Sequence, residues 1–304
     1  MFAMDNTRKL AATVRVARIN APGYWRQYRR ETARIIEPSP YTPNPARWPD
    51  IGLYAAWLGH SSVLVKADGF TFLTDPVLGQ RCGVNMGPMT VGLRRMVAPA
   101  LLPEDLPPVD MILLSHAHFD HFDRSTLRSL ESAGTSVVTA YRTSGLLRMR
   151  RFRSVTELAW DQAVAVGQAK VRAFEVNHWG ARIRTDTYRG YNGYLIESGR
   201  FRIVFGGDTA ITNTFRKVRA SKPVDLAIMP IGAYNPWIHV HCTPEQAVRM
   251  ANDAGAEHLL PVHHQTFRLS REPFFEPLSR LMDAVGSDAH RVAVQRIGQE
   301  WKQE

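Results

Sequence analysis

His116-Ala117-His118-Phe119-Asp120-His121 follows the apolar run Met111-Ile112-Leu113-Leu114 after a single intervening Ser115, and its reading decides the fold. The apolar run is short and preceded by Pro107-Pro108, so it reads as a buried strand whose C-terminal end delivers the cluster. Imidazole nitrogens and a carboxylate without thiolates suit zinc first, then manganese or iron. Two histidines one residue apart can hold one ion while Asp120 and His121 turn toward a second. A single catalytic zinc takes three protein ligands, so a fourth donor in the same hexapeptide asks for a second metal nearby.

More candidate ligands occur in the same context. The alternating pattern Val171 to Val176 ends in Asn177-His178, Phe201 to Phe205 runs into Gly206-Gly207-Asp208, and Leu259 to Val262 ends in His263. Each lies just past a predicted strand, where the loops of a layered α/β protein converge on one edge. The seven side chains His116, His118, Asp120, His121, His178, Asp208 and His263 fill two sites if Asp208 bridges the ions. Two such ions make a hydroxide available near neutral pH and polarise the bond it attacks, which implies hydrolysis of an ester, amide or phosphodiester.

With Trp57-Leu58-Gly59-His60-Ser61-Ser62, Leu73-Thr74-Asp75-Pro76, Ser115 to Asp123, Gly206-Gly207-Asp208-Thr209 and Pro230-Ile231-Gly232-Ala233-Tyr234, the chain resembles the metallo-β-lactamase fold superfamily. Within it, these blocks resemble the branch of phospholipases D that hydrolyse N-acylphosphatidylethanolamine, in matching order from about Trp57 to Phe267. The resemblance implies a four-layer αββα sandwich. It also implies a first metal at His116, His118 and His178, a second at Asp120, His121 and His263, and a bridge at Asp208.

Composition agrees with one enzyme domain: 304 residues at 44% hydrophobic content can bury a large core. The two cysteines, Cys82 and Cys242, have no metal-type spacing, so a disulfide framework is not expected and a reducing, cytoplasmic location is the default. No uninterrupted apolar stretch of signal-peptide or spanning length is visible. Residues 1–50 hold nine Lys or Arg against four acids, half of the net +10, and read as a basic arm and Pro-rich linker before a hydrolase domain over 51–304. Leu10, Val14 and Ala17 in the arm have helical spacing.

From Tyr54 the pattern predicts strands at 54–58, 62–66 and 70–73, with Asp68-Gly69 as a hairpin turn. Residues 78–103, rich in Gly, Pro and Met, read as an irregular connection. Helices are expected at 123–133, 143–149, 212–220, 243–254 and 273–285. Strands are expected at 135–139, 171–176, 193–197, 201–205, 224–229, 258–262 and 291–296.

Asp75 reads equally as the acceptor of a ligand imidazole N–H or as the turn residue of Asp75-Pro76. Thr243 and Gln246 form a capping box with Pro244 at the first helical position, which sets His241 beside a helix N-terminus. His241 is thus a candidate for substrate contact or proton donation to the leaving group, with a surface loop histidine as the alternative. Asp120 and His241 are the catalytic candidates, and His60 and Tyr234 are candidate substrate or supporting residues. His264 is expected to point away from the site.

The expected substrate is a lipid phosphodiester, with a lactone or other ester, or an RNA or cyclic-nucleotide phosphodiester, as alternatives. The arm and the Val91 to Val97 loop combine basic and apolar residues, a composition suited to peripheral contact with an anionic membrane. No aromatic-interleaved basic stripe of the kind that binds nucleic acid is present.

Overall fold

The computed structural model describes residues 32, 34–86, 89–220 and 222–303. The predicted basic helix around Leu10, Val14 and Ala17 lies outside them. The backbone groups into two compact units, residues 1–36 and residues 37–304, and the sheets belong to the second.

In chain order the strands begin with β1 (Leu53–Gly59), β2 (Ser62–Ala67), β3 (Phe70–Thr74), β4 (Arg81–Met86), β5 (Met89–Arg94) and β6 (Met111–Leu114). Helix α1 (Arg124–Ser129) leads to β7 (Ser136–Ala140), β8 (Ser154–Leu158), β9 (Ala163–Val166), β10 (Ala169–Phe174), β11 (Gly193–Ser198), β12 (Phe201–Phe205) and β13 (Val224–Pro230). Helix α2 (Pro244–Ala254), β14 (Ala256–Val262), α3 (Glu276–Val285) and β15 (Glu300–Gln303) complete the unit.

One sheet has the order β15-β1-β2-β3-β6-β7-β8 and the other β14-β13-β12-β11-β10-β9. The period-two alternation of each strand shows how they layer. Met111 and Leu113 of β6 share a core with Ile203 and Phe205 of β12 and Leu226 and Ile228 of β13. Their neighbours Ile112 and Leu114 instead meet Leu127 of α1, and Val204 and Ala227 meet Met250 of α2 and Leu281 of α3. Two sheets therefore face each other, with helices outside both, in the αββα sandwich. Strands β3, β6, β7 and β8 run parallel, as do β12, β13 and β14, so the C-terminal ends of each set gather at one edge.

The expectation of an irregular stretch over 78–103 is corrected. Strands β4 and β5 pair there as an antiparallel hairpin, Arg81 opposite Arg94, in a register that faces Gly83 with Gly92. A Cβ on Gly83 would sit 2.7 Å from the Cα of Gly92, so the glycines that obscured the strand pattern are what let the two backbones approach. The strand expected at 291–296 is reduced to a bridge between Leu259 and Val292, while β15 pairs with β1 at the edge of the other sheet. The helices expected at 143–149 and 212–220 are single 3-10 turns at Ser144–Leu146 and Thr214–Lys217, and the one expected at 123–133 stops at Ser129. Strands β8 and β9 lie at sheet edges, where exposure weakens the hydrophobic alternation that would have marked them.

Helix α2 begins as the capping box predicts: the Thr243 hydroxyl accepts from the Gln246 N–H, and the Gln246 side chain accepts from the Thr243 N–H at 3.1 Å. Gly255 ends it in the left-handed conformation at φ 73°. Thr243→Ala is expected to lower stability by about 1 kcal/mol. A urea midpoint that does not move, at unchanged slope, would show that the cap contributes nothing.

Candidate metal centre

Loops from both sheets bring the seven sequence-predicted ligands together. His118 Nδ1 lies 2.8 Å from His116 Nε2 and 3.3 Å from His178 Nε2, forming one group. In the other, Asp120 Oδ2 lies 3.6 Å from both His121 Nε2 and His263 Nε2. Asp208 stands between them, its Oδ2 at 3.1 Å from His121 and His263, 3.8 Å from His178 and 4.0 Å from His116.

The donor set fits a metal. Two nitrogens bound to one tetrahedral zinc are about 3.3 Å apart, close to the 2.8 and 3.3 Å that separate His118 Nδ1 from the Nε2 atoms of His116 and His178. His121 Nε2, His263 Nε2 and Asp208 Oδ1 are buried without a hydrogen-bond partner, although buried polar atoms are nearly always paired.

Partners behind the rings aim the free nitrogens inward. His121 Nδ1 donates to Asp75 Oδ2 at 2.6 Å, and His178 Nδ1 donates to the Val240 carbonyl at 2.8 Å. His116 Nδ1 lies 2.8 Å from Ser115 Oγ, which in turn donates to Asp75. With each of these outer nitrogens carrying the proton, each Nε2 is left with a lone pair for an ion. Asp75 thus accepts from a ligand-group imidazole as well as occupying a turn. Sequence reading missed Ser115 and the Val240 carbonyl, and for a main-chain acceptor no residue type gives a signal.

Backbone strain turns the side chains in. His60, Asp75 and His263 follow β1, β3 and β14 with φ of 52°, 31° and 63°, a region that costs a non-glycine residue about 1–3 kcal/mol. Gly207, at φ 57°, allows the same turn before Asp208, and a Cβ there would meet the Asn192 carbonyl at 2.8 Å.

His60 lies 3.1 Å from Asp120 Oδ2 with its Nε2 in hydrogen-bonding geometry, unlike the neighbouring unpartnered imidazoles. His241 brings Nδ1 to 3.8 Å from Asp208 Oδ2, buried and without a partner. A cavity of about 230 Å³ opens over the cluster, walled by Trp179, Ala233, Trp237 and Leu269, with His118 and His241 at its floor. Tyr234 is not part of that wall. Its hydroxyl donates to Glu276 at 2.7 Å under the Arg280 guanidinium. His264 is buried and stacked on Trp57 at 4.4 Å.

The charges are strongly coupled. Burial opposes ionisation of Asp208, but His121 and His263 outweigh it and hold the carboxyl well below the usual range. Burial likewise opposes charge on His263, yet Asp208 and Asp120 lift it to about 9. Burial pushes His60 down to about 3 and His241 down to about 4, which leaves both neutral near pH 7.

The Beta-lactamase superfamily domain matches residues 71–264. An uncharacterised protein of Mycobacterium tuberculosis is 34% identical over 89% of this chain and 74% of its own length. The N-acyl-phosphatidylethanolamine-hydrolyzing phospholipase D 1 of Caenorhabditis elegans is 31% identical over 77% of this chain and 70% of its own. Among solved structures, a metallo hydrolase of Ignicoccus hospitalis superposes with a TM-score of 0.60 at 19% identity, covering 84% of this chain and 99% of that one.

With His263 lifted to about 9, the metal-free protein carries a proton there at pH 7, and an ion must displace it. In metal-free protein this ion pairing adds stability that is complete below the ordinary value of 6.5 and lost as pH rises through about 9. Metal loading should therefore release protons, and affinity should rise with pH from about 7 to about 9. Calorimetric titration in buffers of different ionisation enthalpy measures the release, and a heat independent of buffer would contradict it.

Proposed function

Because the chain belongs to the beta-lactamase superfamily, we propose that it is a binuclear zinc phosphodiesterase of the phospholipase D type, acting on N-acylphosphatidylethanolamine or a closely related lipid. One observation carries the binuclear reading: the Asp208 carboxylate lies within 4.0 Å of imidazoles from both ligand groups. The substrate reading is supported by the similarity to the C. elegans phospholipase D and by the largely apolar wall of the cavity above the cluster.

His116, His118 and His178 would hold one ion, Asp120, His121 and His263 the other, and Asp208 both. Bound divalent metal supplies Lewis acidity, which activates water and offsets charge on a phosphoryl oxygen. Asp75 and Ser115 hold His121 and His116 in the tautomers that keep Nε2 unprotonated. Trp179, Trp237 and Leu269 bury the apolar part of the substrate and exclude bulk water from the scissile bond. His241 Nδ1 meets an oxygen of the phosphodiester, positioned to hydrogen-bond the leaving group. Water oxygen joins phosphorus, the bond from phosphorus to the ethanolamine oxygen breaks, and that oxygen takes a proton given up by the attacking water to leave as N-acylethanolamine beside phosphatidic acid.

No helix among the described residues is long and apolar enough to cross a membrane. A lipid would reach the cavity by peripheral contact, for which Trp237 and Ile238, 51% and 38% exposed, offer apolar surface beside it.

Fully loaded protein should hold about two zinc ions per chain by elemental analysis, with Asp208→Ala lowering the occupancy of both sites. A single ion in saturated wild-type protein, or a variant that keeps both, contradicts the binuclear reading. Hydrolysis in ¹⁸O-water should label phosphatidic acid and leave N-acylethanolamine unlabelled. Label in the alcohol, or much faster turnover of lactones or nucleotides in a substrate panel, would overturn the assignment.

A further inference from the structure

The loop between β10 and β11 contributes more than His178 and Trp179. Four residues beyond His178, Arg182 extends its guanidinium to the hexapeptide that follows β6. Its Nη1 donates to the Ala117 carbonyl at 2.9 Å and to the Phe122 carbonyl at 2.8 Å. The guanidinium carbon Cζ lies over the Phe119 ring at 4.0 Å from its centroid and 5.7 Å from that of Phe122.

The hexapeptide leaves the sheet after Leu114, so its carbonyls have no ladder partners. His121 N and the following Phe122 N both donate to the His118 carbonyl, which closes a tight turn but leaves the Ala117 and Phe122 carbonyls to other donors. A buried carbonyl without a donor costs about 1–3 kcal/mol. Arg182 contacts a carbonyl at each end of the turn and stacks on the side chain at its middle. A lysine ammonium is a compact charge without the planar fork and cannot combine these contacts in the same way.

The contacts join two loops that carry different parts of one ligand group. His116 and His118 lie on the hexapeptide, while His178 leads the loop that holds Arg182. The His178 Nε2 to His118 Nδ1 distance of 3.3 Å spans that junction. We propose that Arg182 is a positioning residue, one that clamps the hexapeptide to the His178 loop and keeps the three imidazoles of the first group in register for an ion, a role that rests on the metal-centre reading above. Trp179 belongs to the same loop, so the clamp also ties the cavity wall to the ligand turn.

The test measures zinc affinity by chelator competition for wild type, Arg182→Ala, Arg182→Lys and His118→Ala, beside the unfolding midpoint of each metal-free protein. Loss of an outer-shell partner typically weakens metal binding about 10–100-fold, and that loss is expected for Arg182→Ala at the first group. Added guanidinium ion should restore affinity to Arg182→Ala and leave Arg182→Lys unrestored, because in the latter the side chain fills the site. Arg182→Lys, expected to lose about tenfold, carries the test if the alanine variant does not fold. Wild-type zinc affinity in both arginine variants, or a lower metal-free midpoint with unchanged affinity, overturns the clamp while the His118→Ala loss keeps the metal centre standing. Wild-type affinity in His118→Ala would instead overturn the metal-centre reading itself.

Discussion

A buried carboxylate among imidazoles is the constraint on which the rest of this structure depends. Asp208 Oδ2 has nitrogens from His116, His121, His178, His241 and His263 within 4.0 Å, and its side chain is almost wholly withdrawn from water. Such a charge is tolerated only when opposite charge compensates it. Without an ion, protons on His121 and His263 serve that purpose. With one, a cation takes their place, so the same geometry that favours metal binding also makes it compete with protons.

The sandwich delivers His116, His121, His178, Asp208 and His263 from past the ends of four strands, β6, β10, β12 and β14, and His241 from the segment before α2. Hydrogen bonds across the two sheets hold the ends in place: Tyr194 of β11 donates to the Leu114 carbonyl at the end of β6, and Asn192 N donates to Ser115 at 2.9 Å. The His60 carbonyl accepts from both Trp57 Nε1 and His263 N, joining the turn after β1 to the end of β14. Left-handed backbone at His60, Asp75 and His263 is local strain that these bonds and the packed core behind them offset. The site is in this sense a product of the two sheets together.

The local readings failed where tertiary contacts override local pattern. Gly83 and Gly92 weaken a strand signature, yet facing each other they permit close backbone approach in the β4-β5 hairpin. Residues 291–296 have strand-like apolar spacing, but Leu259 bridges only Val292, and the edge of the opposite sheet is completed by Glu300–Gln303. Tyr234, read as a substrate or supporting residue, is a different case: its hydroxyl donates to Glu276. No feature of the Tyr234 neighbourhood in sequence announces a partner 42 residues away.

While the αββα class came from the resemblance to the metallo-β-lactamase fold superfamily, what the sequence determined by itself was the donors in His116 to His121, the strand-end placement of His178, Asp208 and His263, and the α2 cap. These are local properties, since donor type is covalent and strand periodicity needs only near neighbours. Tertiary structure alone decided which nitrogen of each ring faces the centre, through Asp75, Ser115 and the Val240 carbonyl. It also decided that Arg182 reaches the hexapeptide and that Trp179 and Trp237 face one cavity. Those outcomes depend on atoms brought together from distant positions, and hydrogen-bond direction within a few tenths of an ångström exists only once both sheets have packed.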